Sequence, residues 1–92
     1  MNLFVGIGTI SGAYENGRVL KFTLSIRQEK PCHVPCVIFD PNDEVKKFVQ
    51  RLKSSKQVVW LQGKVASYEF EYKKKTIRKI DVVVHPRNIK PI

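Results

Sequence analysis

The chain has 92 residues, 42% hydrophobic and 27% charged, a composition that predicts a single domain with one small core. Its net charge of +9 favours a polyanionic partner, and nucleic acid is a commoner partner of this kind than an anionic membrane surface. No apolar run approaches the roughly 20 residues that cross a bilayer, and no signal-peptide pattern is present, so we expect a cytoplasmic protein.

A first strand is predicted over residues 2–10, where apolar side chains recur at alternate positions. One face of this strand is apolar: Leu3, Val5 and Ile7. The other face contains Gly6 and Gly8, which allow a bulge or a close backbone approach. Residues 11–17 are predicted as a turn because they end in an Asn-Gly pair, a strong hairpin signal.

Residues 18–27 show the clearest alternation in the chain and predict a half-exposed antiparallel strand. Two cations and two hydroxyl groups face outward: Lys21, Thr23, Ser25 and Arg27. As a set they suit phosphate contact, although each alone is an ordinary solvent-facing strand residue. After a loop over residues 28–35, a short strand at 36–39 points Cys36 and Ile38 inward. It points Phe39 outward, either to stack on a base or to close the end of a barrel.

A helix is predicted to begin within Asp40–Glu44, where Asp40 or Asn42 can cap it. Apolar residues follow at helical spacing and form one stripe: Val45, Phe48, Val49 and Leu52. We expect a single helix of about three turns.

The fourth predicted strand, residues 57–72, contains the residues that most strongly indicate a function. Alternation puts three rings on one face: Tyr68, Phe70 and Tyr72. The same alternation adds Trp60 and Lys64 to this face, and a turn of three lysines, Lys73–Lys75, follows. Because rings stack on unpaired bases and lysines attract phosphates, this stretch predicts a platform for single-stranded nucleic acid. The alternative is a sheet face covered by a partner subunit, beside a solvated lysine turn.

Thr76–His85 is predicted as the last strand, with Pro86 ending it and a short tail after it. Its inward side chains are expected to be Ile80, Val82 and Val84. Five antiparallel strands with one helix between the third and fourth give an all-β fold class, and we predict one OB-fold barrel over residues 1–92. This fold usually binds oligonucleotides or oligosaccharides on an exposed sheet face and on loops, including the one between its last two strands.

Four potential zinc ligands are present: Cys32, His33, Cys36 and His85. Their spacing matches no standard zinc motif, so we expect reduced cysteines and no metal or other cofactor. The sequence contains no recognisable carboxylate pair and no phosphate-binding glycine loop, and we therefore expect a binding protein and not an enzyme.

Motifs in four predicted strands carry a resemblance: Asn2–Ile10, Lys21–Ser25, Val34–Phe39 and Val58–Val65. In this order they are similar to the DNA-binding domain of the bacterial single-stranded-DNA-binding proteins. The resemblance implies non-specific single-strand binding, with Phe39 and Phe70 at stacking positions and His33 where some members have tryptophan. It also implies a homodimer or homotetramer, often assembled through the first strand.

The chain also departs from that family. The loop between strands two and three is shorter, and Ser54–Lys56 replaces the usual lysine-glycine turn after the helix. The acidic C-terminal tail, through which the family recruits replication and repair proteins, is not in the sequence. In these respects the chain looks closer to primosomal replication proteins, which resemble dimeric versions of the same barrel.

We therefore predict single-stranded DNA binding in replication, restart or repair, with replication proteins as further candidate partners. The predicted contact residues are Lys21, Arg27, His33, Phe39, Trp60, Lys64, Tyr68, Phe70, Tyr72, Lys73, Lys74 and Lys75. An RNA-binding barrel has the same chemistry and remains open, as does a protein-interaction or oligomerisation module that buries the aromatic face.

Overall fold

The computed structural model describes residues 2–92, so Met1, which the predicted domain includes, lies outside the described residues. The elements in chain order are β1 (Leu3–Asn16), β2 (Val19–Ile26), β3 (Cys32–Phe39), α1 (Asp43–Ser55), β4 (Val58–Tyr72) and β5 (Lys75–Pro91). Over residues 2–92, no helix combines the length and the apolar character needed to cross a membrane.

The strands close into a barrel in the order β1-β2-β3-β5-β4, with β4 returning to β1. This confirms the predicted OB-fold barrel with its helix between the third and fourth strands. The expectation that every strand pair is antiparallel is wrong, because β3 and β5 run parallel through the pairs Cys36–Val82 and Val37–Val83. A closed ring with an odd number of strands cannot alternate direction at every contact, so at least one parallel pair is unavoidable.

The core is filled by the inward side chains of all five strands and by α1. The buried residues include Ile10, Leu20, Phe22, Leu24, Cys36, Ile38, Val49, Leu52, Val59, Leu61, Val82, Val84 and Ile89. Asn42 caps α1 by accepting a hydrogen bond from the Val45 amide at 2.9 Å, as one of the two predicted caps. Lys56 ends the helix in the left-handed conformation, which glycine adopts more easily.

The predicted turn over residues 11–17 is instead a continuation of β1 through a bulge. Ser11 pairs with Thr23 and Tyr14 with Lys21, so β1 holds one residue more than β2 between these pairs. Gly12 has a φ of +60°, as the first residue of a glycine bulge does, and this conformation favours glycine. The extra residue reverses the alternation, so that Tyr14 faces outward. The hairpin turn itself follows immediately, between Asn16 and Val19.

β4 and β5 form a hairpin that extends beyond the barrel. Ser67 pairs with Ile80 and Tyr72 with Lys75, and both faces of the hairpin in between are largely exposed. Ile80 is 57% exposed and not inward as predicted, because the barrel ends before this position. Val82 and Val84 are buried as predicted.

Pro86 does not end β5, contrary to the prediction. Between the pairs Gly63–Val84 and Leu61–Ile89, β5 contains three residues more than β4, and Pro86 lies in this irregular segment. Proline is tolerated there because a bulge makes no ladder hydrogen bond through that position. The strand then resumes and buries Ile89.

The two cysteines lie on the same strand in different environments. Cys32 is exposed, whereas Cys36 is buried in the core, and both are free. Burial is the main cause that raises the pKa of the Cys36 thiol from 9.0 to about 12, and the negative charge of Asp81 adds to it. The folded pKa is the higher one, so the neutral thiol stabilises the fold below pH 9.0, and that contribution is lost as the pH rises toward 12.

We expect one thiol per native chain to react with a disulfide reagent near pH ~8, because thiolate formation requires an accessible sulfur. That thiol is Cys32, and Cys36 should react after unfolding in urea. The measurement is absorbance of the released reagent, with Cys32→Ser as the control that removes the native reaction. Two thiols reacting at one rate in the native protein would contradict the burial of Cys36.

Candidate nucleic-acid interface

A groove of about 320 Å³ lies where the outer face of the β1-β2-β3 sheet meets the base of the β4–β5 hairpin. Its lining includes Tyr14, Lys21, Thr23, Tyr68, Lys79 and Asp81. The Gly12 bulge is what turns Tyr14 outward opposite Lys21. The groove therefore combines two tyrosine rings, two lysine ammonium groups, the hydroxyl of Thr23 and one carboxylate.

The aromatic face of the hairpin begins at this groove and runs outward. The ring centroids of Tyr68 and Phe70 are 6.3 Å apart with an interplanar angle of 29°, a stacked arrangement. Lys79 pairs with Tyr68 across the hairpin, and its Nζ lies 5.6 Å from the Phe70 centroid. Lys73 Nζ lies 5.4 Å from the Tyr72 centroid. Each of the three hairpin rings thus has a lysine beside it, across the hairpin or in the turn.

The lysine turn has a defined backbone. Lys73 and Lys74 both have positive φ, 50° and 61°, as the two central residues of a type I′ turn require. Lys75 is already in β5, opposite Tyr72. The turn therefore places three ammonium groups at the tip of a regular hairpin and not in an irregular loop.

The opposite face of the hairpin carries an ion pair. Arg78 Nη2 lies 2.6 Å from Glu69 Oε1, and Arg78 Nε contacts the same oxygen at 3.1 Å. Both side chains are exposed, so this contact contributes little to stability. It does neutralise charge on the face without the aromatic row, so the hairpin presents its free cations beside the rings.

The surroundings of the Tyr68 hydroxyl favour its neutral form. Desolvation, and then the neighbouring Asp81 carboxylate, raise the pKa of Tyr68, while Lys21 opposes the change. A neutral phenol keeps its hydrogen-bond donor, and its ring repels no phosphate.

His33 and Arg27 lie at the far end of the same sheet face. His33 Nδ1 is 3.1 Å from Ser25 Oγ, which shares a second hydrogen bond of 2.9 Å with Ser11 Oγ. His33 and Arg27 line a depression of about 790 Å³ together with Lys53 and Lys56. These two helix-end lysines are not among the predicted contact residues, because their proximity to the sheet depends on how α1 packs on the barrel.

Phe39 and Lys64 lie in a different depression, of about 620 Å³, which also includes Leu3 and His85. Phe39 is 59% exposed and faces outward as predicted, so it does not close the barrel. This depression follows the outer surface beside the N-terminus of α1. Phe39 and Lys64 are therefore together, apart from the hairpin rings.

Trp60 lies apart from the other predicted rings. It pairs with Ile7 on β1 and Lys90 on β5, in a surface where Leu3 and Val5 are also exposed. Tyr68 lies eight positions further along β4, which corresponds to roughly 26 Å. Trp60 thus belongs to an apolar patch, and its contact with nucleic acid stays a prediction, as do those of the other predicted residues.

Tyr14, Lys79 and Asp81 line the groove but are not among the predicted contact residues. Tyr14 was hidden by the bulge, which reverses the alternation that sequence reasoning assumes. Lys79 had a usable signal, since Lys75, Ile77 and Lys79 alternate directly opposite the three rings.

No three side chains of the metal-binding types cluster anywhere in residues 2–92. Cys32 and Cys36 stand four residues apart on one strand, and the His85 ring accepts a hydrogen bond from the Arg87 amide at 3.3 Å. The four cysteine and histidine residues considered as zinc ligands are therefore not assembled into a site.

The sequence matches no protein-family model and no curated protein. Among solved structures, the chain is similar to the mitochondrial single-stranded DNA binding protein Rim1 of S. cerevisiae, with a TM-score of 0.73 and 18% identity over 98% of this chain and 93% of that one. It is also similar to the Plasmodium falciparum SSB in complex with single-stranded DNA, with a TM-score of 0.71 and 11% identity over 100% and 95% of the two chains. At these identities the likeness shows that the chain has the fold of these proteins.

Proposed function

We propose that this protein binds single-stranded DNA without catalysing a reaction, through the groove and the aromatic face of the β4–β5 hairpin. The observation that carries the proposal is the stacked Tyr68–Phe70 pair with Lys79 beside it, exposed at the edge of a basic groove. The fold supports it, because both similar structures are of proteins named for single-stranded DNA binding. A role in replication, restart or repair is part of the same proposal.

The expected interaction energies are large enough for this binding mechanism. Stacking contributes roughly 1–3 kcal/mol per base, so two or three stacked bases exceed the ordering cost of a short strand when lysine contacts are added. The lysine contribution falls with salt, whereas stacking persists. In duplex DNA the bases are stacked on one another, so their faces are hidden. Binding of duplex DNA should therefore retain only the electrostatic contribution.

The first test is anisotropy of a fluorescein-labelled dT oligomer, with duplex DNA and an RNA of matched sequence as competitors. An external probe is preferable to Trp60, since that residue lies in the apolar patch. Binding to the single strand that survives moderate salt supports the proposal. Equal competition by duplex that disappears with salt would leave a basic surface only, and stronger competition by RNA would favour the RNA-binding alternative.

Replacing Phe70 with alanine should weaken single-strand binding about tenfold, because one stacking ring is lost. The slope of log K against log salt should stay as in the parent, since no charge changes. Thr76→Ala, on the opposite face of the hairpin, is the matched control and should bind as the parent does. Parent-like binding by Phe70→Ala would remove the hairpin from the site.

The lysine turn can be neutralised without loosening it. Lys73→Asn, Lys74→Gly and Lys75→Gln together remove three charges and leave Asn-Gly, the sequence that best suits a type I′ turn. The salt slope should become shallower by about 2, at about 0.7 per phosphate contact on a single strand. An unchanged slope, with the hairpin intact by circular dichroism, would show that the turn does not contact phosphates.

We further propose that the chain forms homodimers or homotetramers through the apolar patch on the outside of β1. Leu3, Val5 and Ile7 are each about half exposed there, and Trp60 and Val58 adjoin them on β4. Val5→Lys should shift the protein to a monomer in sedimentation velocity while dT binding remains. Loss of association in Tyr72→Ala instead would favour the alternative in which the aromatic face is the interface.

A further inference from the structure

Asp81 places a negative charge in the groove that we propose as a binding site for a polyanion. It lines the groove with Lys21, Lys79 and Tyr68, and it pairs with Ala66 on β4, two positions before Tyr68. Opposite residues of an antiparallel pair share a face, so Asp81 and Tyr68 are diagonal neighbours on the aromatic face, within reach of long side chains. A phosphate next to this carboxylate would be repelled.

Among the described residues, the Asp81 carboxylate forms no ion pair. Across residues 2–92 the ion pairs join Lys46 to Glu15 and Arg78 to Glu69, and neither involves Asp81. A carboxylate has two oxygens with about four acceptor positions, so one hydrogen bond, such as that from the Tyr68 hydroxyl, leaves most of them unused. Asp81 lines the groove, so a group bound there meets this carboxylate.

The groove has the volume of a small ligand site. Its volume of about 320 Å³ is at the lower end of the roughly 300–1,000 Å³ range of small-molecule sites. A base stacked on the Tyr68 ring would lie against this groove, whose lining contains one carboxylate, that of Asp81. Single-stranded bases are commonly recognised at their Watson–Crick edge.

We propose that Asp81 is a specificity-determining residue that accepts hydrogen bonds from the edge of the base stacked on Tyr68, and that it favours guanine there. Guanine offers two adjacent donors, N1–H and the N2 amino group, which match the two oxygens of one carboxylate. Thymine offers a single N–H between two carbonyl oxygens, and those oxygens are repelled by the carboxylate. The inference rests on the proposed single-strand binding and adds a base preference to it.

The test compares short dT oligomers of about eight nucleotides, a length within the range of about 4–16 for one OB fold. The central position is thymine, guanine or hypoxanthine, which lacks the N2 amino group. We expect the guanine oligomer to bind about tenfold more tightly than all-thymine, because a good bidentate pair is discriminated on that scale. Hypoxanthine should fall between them, and one guanine per strand avoids quadruplexes.

Asp81→Asn should abolish the guanine preference, because the amide presents one acceptor and one donor group. It should also tighten binding of the thymine oligomer, since a negative charge is removed. Glu71→Gln is the matched control: it makes the same charge change on the opposite face of the hairpin, so it should keep the guanine preference. Melting curves of both variants check that the fold is retained.

Three results would overturn the inference, and only the last of them also removes the proposed function. Equal binding of the three oligomers by the parent would show that no base edge is read, while single-strand binding itself would stand. A guanine preference that persists in Asp81→Asn would assign it to another residue. If the parent binds none of the oligomers, the proposed function fails and the base preference fails with it.

Discussion

Closure of a ring of five strands is the constraint on which the rest of the structure depends. An odd ring must contain a parallel contact, and here that contact is short, two residue pairs between β3 and β5. The helix makes it feasible, because α1 carries the chain from the end of β3 to the start of β4 and packs Val49 and Leu52 into the core. With the closure so short, β5 is held mainly by its long antiparallel pairing with β4.

That long pairing is also what creates the candidate site. β4 and β5 stay paired beyond the end of the barrel, so alternate side chains there no longer divide into a buried and an exposed set. Both faces of the hairpin are exposed to solvent, and they carry different residue types. One holds rings and unpaired lysines, whereas the other holds the Glu69–Arg78 pair. The groove forms where this two-sided hairpin meets the one-sided sheet of the barrel.

The sequence was informative wherever periodicity was uninterrupted. The inward set of β2, the stripe of α1 and the ring row of β4 follow directly from alternation or helical spacing, and the order of elements then indicated the barrel. Prediction from alternation failed where one strand contains extra residues, at Gly12 and around Pro86. A bulge is a property of two paired strands, so it cannot be recognised in one segment alone. Prediction of this kind also assumed that residues on one face are near each other, which does not hold for Trp60 and Tyr68 on a strand as long as β4.

The bulge at Gly12 makes the chemistry of the groove depend on the backbone of a residue outside it. If the same residues followed strict alternation without the bulge, Ala13 would face outward and Tyr14 would point at the core. The ring that Tyr14 contributes to the groove therefore depends on the left-handed conformation of Gly12, which does not itself line the groove. In evolutionary terms, a substitution of Gly12 can change the surface of the groove although every lining residue stays the same.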